Sequence, residues 1–95
     1  MVLIELKDGT SDEQVAAMLD GMAALPASIP VIRSVVAGRD AGISATPIDV
    51  SFVATFDSAA DYDAYRAHPA HGAFASELLR PVAERITISQ FESGT

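Results

Sequence analysis

Apolar positions along the chain follow two different periods. Residues 2 to 7, VLIELK, form a short aliphatic run stopped at Asp8-Gly9, the pattern of a strand. Beyond it, Val15, Met18, Leu19, Met22 and Leu25 recur at spacings of three and four, which is one stripe of an amphipathic helix. Ser11 with Gln14 offers a capping box for its start, and Thr10 with Glu13 offers another one residue earlier. Gly21 inside the stripe costs about 1 kcal/mol relative to alanine. Pro26 and Pro30 are expected to end the helix.

Val31 to Ala37 reads as a second strand, closed by Gly38. Residues 39 to 48, RDAGISATPI, show no period and many turn formers, which predicts a mobile surface loop able to act as a lid. From Asp49 to Phe56 the period returns to two, with Val50, Phe52, Ala54 and Phe56 on one face of a third strand. Ser58 with Asp61 caps a short helix ending near Ala67. Pro69 disfavours helical geometry at His68, so the chain should turn there. A further helix is expected from about Ala70 to Glu84, with Phe74, Leu78 and Val82 on one side and an irregularity at Pro81. Ile86 to Phe91 reads as the last strand.

The order β-α-β-β-α-β predicts an α+β fold. It is the ferredoxin-like arrangement, a four-stranded antiparallel sheet with helices on one face, and it occupies residues 1 to 95 as one domain. Val2-Leu3-Ile4, Val31-Ile32 and Val35-Val36 are apolar on both faces of their strands. One face meets the helices, and the other needs a cover. A second copy packed sheet on sheet through residues such as Leu3, Val36 and Val53 is the simplest one.

Composition narrows the function classes. Hydrophobic residues make up 49% of the chain, enough for a core and too many for a disordered segment. Six basic against thirteen acidic residues give a net charge of −7, which argues against nucleic acid and anionic membrane surfaces as partners. With no cysteine there is neither a disulfide nor a thiolate metal site. His68 and His71 are the only histidines, fewer than zinc needs, so no metal is expected. The N-terminus resembles neither a secretory signal nor a membrane span, and a cytoplasmic location is the default expectation.

The remaining chemistry gathers in YRAHPAHGAF, residues 65 to 74. Tyr65-Arg66-Ala67-His68-Pro69-Ala70-His71 follows Phe56-Asp57-Ser58. Before those come Lys7-Asp8, Ile29-Pro30 and Gly38-Arg39-Asp40, in that order. In this order and spacing the chain resembles the stress-responsive dimeric α/β-barrel (Dabb) family. The resemblance implies a ferredoxin-like protomer, a homodimer, and a pocket between sheet and helices for a small hydrophobic or carbonyl-containing ligand, without a cofactor. Some relatives cyclise plant polyketides by aldol chemistry, while others are known mainly as stress-induced proteins.

In the catalytic relatives a tyrosine and the last histidine of the motif face the pocket, which implies roles for Tyr65 and His71. A neutral imidazole can take a proton from carbon next to a carbonyl, and a phenol can stabilise the enolate. Gln90 stands where relatives often carry an aspartate that orients the histidine, and Met1 already lies beyond the point at the start of strand one where they commonly carry a histidine. A glutamine can still accept the imidazole N–H, but supplies no negative charge. The expected pocket residues are Met18, Met22, Phe52, Phe74, Ile88 and His68. Two bland readings stand beside this one. The same pocket can bind a ligand without catalysis, or it can be filled by the protein's own side chains.

Overall fold

The computed structural model describes residues 1–92. Its elements are β1 (Val2–Leu6), α1 (Asp12–Ser28), β2 (Ser34–Arg39), β3 (Val50–Thr55), α2 (Ala59–Ala67), α3 (Pro69–Phe74), one π-helical turn (Ala75–Leu79) and β4 (Ala83–Ile88). The strands lie in the order β2-β3-β1-β4, and every neighbouring pair is antiparallel. This is the ferredoxin-like fold expected from the periodicity.

The capping box forms at Ser11. Its Oγ accepts from Gln14 N at 3.1 Å, and Gln14 Oε1 accepts from Ser11 N at 2.9 Å, so two otherwise unpaired donors are satisfied. Val15, Met18, Met22 and Leu25 then face the sheet and are buried against Ile4, Val50 and Phe52. Each such side chain contributes about 1.5–3 kcal/mol on burial. The turn after β1 is closed by Gly9 at φ 84°, a left-handed conformation that glycine adopts without strain.

Four boundaries differ from the pattern along the chain. Gly38 does not close β2, since Gly38 and Arg39 still pair with Ser51 and Val50. Pro26 does not end α1; it sits in the last turn, and the helix continues to Ser28. The amide that proline lacks is one bond near a helix end, a small loss there. Val31 and Ile32 are not strand residues. Ile32 N donates to Ile29 O in a turn, and Ile32 is buried from there, so its apolar character serves the core and not a sheet face. Likewise the helical stretch stops at Leu79, and β4 begins at Ala83 and not Ile86. Lys7 N donates to Val82 O, and a register shift between Glu5 and Leu6 pairs Leu6 with Ala83. Val82 therefore packs in the core from the connection, and Phe91 lies beyond the strand, exposed.

Register assigns the faces. Val2 pairs with Phe52 and Ile88, and Ile4 with Val50 and Ile86, so these six point toward the helices. Leu3, Ser51 and Thr87 point the other way, as do Val36 and Val53, which pair with each other. No helix among the described residues covers this second face, and Val36 is 70% exposed.

Candidate functional site

Two local devices bring Tyr65 and His71 together. α2 stops at Ala67 because His68 takes extended backbone (φ −69°, ψ 136°) ahead of Pro69, which occupies the first turn of α3. His68 then caps α3, its Nδ1 accepting from Ala70 N at 3.0 Å. Tyr65, in the last turn of α2, and His71, in the first turn of α3, meet edge-on with ring centroids 4.6 Å apart. Phe56 also packs against the Tyr65 ring, at 5.1 Å between centroids.

Behind the two rings lies a cavity of about 180 Å³ between sheet and helices. Met22, Phe52, Phe74 and Ile88 line it, together with Tyr65 and His71. Val2, Leu79, Ile86 and Arg80 complete much of the wall. Met18 is not among the lining residues. It sits one turn earlier on α1, fully enclosed in the core with Ile4 and Val50. His68 does not line the cavity either, because its ring is engaged as the cap of α3. Residues 40 to 48 contribute nothing to the wall, so no lid rests on the cavity in this state. That loop is tied at its base by Asp40 N donating to Asp49 O at 2.8 Å.

Gln90 departs from the role implied for it. Its Nε2 donates to the Tyr62 hydroxyl at 2.9 Å and not to the His71 ring. β4 ends at Ile88, so Gln90 lies past the strand and beside α2. The link to His71 is indirect, through Tyr62 and the neighbouring Tyr65 ring at 6.1 Å.

Burial sets the electrostatics. It pushes the Tyr65 phenol up to about 12, with the neighbouring Tyr62 adding to the rise. The His71 imidazole is lowered from its ordinary 6.5, chiefly by burial; the Arg66 backbone works the other way, and the charges of Arg66 and Arg80 lower it further. At neutral pH the pair is thus a neutral imidazole beside a protonated phenol. Among the described residues no fully buried polar side-chain atom lacks a partner, and the Tyr65 hydroxyl makes no hydrogen bond to them, so its oxygen is not fully enclosed and Tyr65 lines the cavity. No group of three or more potential metal-ligating side chains occurs among the described residues.

Arg80 is the wall residue that periodicity hides. Its neighbours Leu79 and Ala75 belong to a π turn, closed by Arg80 N donating to Ala75 O at 2.9 Å, and nothing in the residue pattern announces that widening.

A fold of this kind has known counterparts. Residues 1–93 match the stress responsive A/B barrel domain, and the chain belongs to that family. A crystal structure of an Arabidopsis thaliana protein is 26% identical, with a TM-score of 0.88 over 99% of this chain and 92% of that one. A dimeric ferredoxin-like protein of unknown function from Thermobifida fusca is 28% identical, with a TM-score of 0.81 over 90% of this chain and 80% of that one. The hydroxynitrile lyase of Passiflora edulis shares the fold at 23% identity, with a TM-score of 0.81 over 97% and 93% of the two chains. No curated protein sequence matches the chain.

Proposed function

We propose that the protein is a homodimer whose cavity holds a small carbonyl compound. On this reading it moves a proton at the carbon next to the carbonyl, without a cofactor. One observation carries the proposal. A neutral imidazole and a protonated phenol, 4.6 Å apart between ring centres, share the wall of a cavity that, Arg80 at its edge aside, is lined by apolar side chains. His71 removes the proton as general base, and the Tyr65 hydroxyl donates a hydrogen bond to the oxygen that becomes an enolate. Enolate formation is the first half of an aldol cyclisation, the reaction implied by the resemblance. It also serves an isomerase equally well.

The homodimer is supported by the dimeric ferredoxin-like neighbours from Thermobifida fusca and Bacteroides fragilis, both 28% identical. The uncovered sheet face with Leu3, Val36 and Val53 is the surface available for it.

The test is washout of deuterium from benzylacetone labelled next to its carbonyl. The wild type should speed washout above buffer, and His71→Ala should abolish the acceleration while ligand binding and the melting curve persist. A wild type that binds benzylacetone without accelerating washout would leave a ligand-binding protein and end the catalytic reading.

A further inference from the structure

The arginines are distributed unevenly in function. The chain carries five arginines and one lysine within a net charge of −7. Arg33 pairs with Asp57 at 2.8 Å, Arg39 with Asp12 at 3.2 Å and Arg85 with Glu5 at 3.8 Å. Arg66 and Arg80 have no ion-pair partner among the described residues, and both line one outer cleft of about 490 Å³. Asp63 is the one acidic side chain on that cleft, so its lining stays net positive in a strongly acidic protein. His71, Ala75 and Arg80 line both this cleft and the inner cavity, which makes them the junction between the two.

The backbone places Arg80 there by a specific device. In a regular α-helix, position 80 would be turned about 140° from position 75 around the axis. The π turn spends one more residue per turn, so Arg80 follows Ala75 on nearly the same side. Without that widened turn the guanidinium would leave the junction.

We propose that Arg80, assisted by Arg66, is an anion-recognising mouth of the His71 cavity, and that the ligand is an apolar body about the size of one six-membered ring bearing a carboxylate. This rests on the cavity reading above and adds the ligand's chemical class to it. The size follows from the inner volume of about 180 Å³, since an apolar cavity of ~150 Å³ takes up one benzene. The charge follows from two guanidinium groups without an ion-pair partner among the described residues, that of Arg66 lying 5.7 Å over the Tyr62 ring; their planar fork matches a carboxylate by two parallel hydrogen bonds. The carboxylate sits in the outer cleft and the ring lies inside against Phe52, Phe74 and Ile88. A carbonyl between the two falls beside His71.

The probes are hydrocinnamate and its neutral amide, titrated by calorimetry into the wild type and three variants. The acid should bind about tenfold more tightly than the amide. Arg80→Gln should lower the affinity for the acid about tenfold and leave the amide unchanged, with a smaller loss in the same direction for Arg66→Gln. Lys7→Gln removes a positive charge that lines neither the cleft nor the cavity and should change neither. Equal binding of acid and amide would remove the anion-recognising mouth and leave the cavity standing. Binding of neither would overturn mouth and cavity together. An equal loss of acid affinity in Lys7→Gln and Arg80→Gln would reduce the effect to net charge and contradict the assignment.

Discussion

The Tyr65 ring meets the His71 imidazole edge-on, 4.6 Å between centroids, across a helix break made by His68 and Pro69. Six positions apart on one unbroken helix, the two side chains would point to different sides, since six residues turn the helix by about 240° from its start. The break is therefore what makes a pair of them. Because the Tyr65 hydroxyl has no partner among the described residues, its removal costs the fold little. Tyr65→Phe should change stability by less than about 1 kcal/mol. It should nevertheless slow washout of the labelled ketone about 10²–10³-fold, the usual effect of losing one donor to a developing oxyanion. Equal rates in the variant and the wild type would remove Tyr65 from the chemistry.

The same burial gives an alkaline signature. Tyr65 ionises only near pH 12 in the folded protein, against an ordinary 10. The unfolded chain loses that proton first, so the contribution to stability is fully present below pH 10 and is lost as pH rises toward 12. An ultraviolet titration of the wild type should show a late phenolate step near pH 12 that is missing in Tyr65→Phe. A wild-type titration identical to that of Tyr65→Phe above pH 11 would contradict the buried placement.

On the opposite face of the sheet, Val36 and Val53 pair across β2 and β3 with no helix over them. Sheet-on-sheet association should give a species of twice the 9.9 kDa of one chain in sedimentation, with a melting temperature that rises with protein concentration. Val36→Glu places a charge in that contact and should shift the equilibrium toward monomer. A wild type that sediments as a concentration-independent monomer would overturn the dimer.

Gly21 lies where α1 crosses the end of α3 and the π turn. A Cβ there would stand 2.6 Å from Leu78 Cδ1 and 3.0 Å from Phe74 Cδ1. Helix propensity favours alanine by about 1 kcal/mol, but crowding at such distances costs about 1–3 kcal/mol. Gly21→Ala should leave the protein unchanged or less stable by up to about 2 kcal/mol. It should also push the Phe74 ring toward the cavity and weaken benzylacetone binding about fivefold. Unchanged binding with raised stability would show that Leu78 and Phe74 yield freely.

Much of the fold was legible because its signals are local. The alternation from Val50 to Phe56, the stripe from Val15 to Leu25 and the Ser11–Gln14 box each depend on residues a few positions apart. The joint at His68-Pro69 was legible for the same reason, since proline constrains its immediate neighbour. The remainder depends on the folded surroundings. Ile32 and Val82 look like strand or helix residues, yet they are turn residues whose side chains reach the core. Proline at position 26 reads as a stop, but so near the end of α1 the helix carries it. Met18 and Met22 are indistinguishable by spacing, and only the depth of the sheet beneath them separates core from cavity wall. Arg80 and the Tyr62–Gln90 hydrogen bond were hidden because the π turn and the early end of β4 shift their positions by a residue or more.

The dependence of benzylacetone washout on pH tests the His71 assignment most directly. Burial and the charges of Arg66 and Arg80 hold the imidazole below its ordinary 6.5, so the base form prevails at neutral pH. The rate should be flat through neutrality and fall in acid through one inflection below 6.5, while His71→Ala shows neither the inflection nor the acceleration. A His71→Ala variant that keeps the wild-type profile would show that the base lies elsewhere, and the pairing of His71 with Tyr65 would then be packing alone.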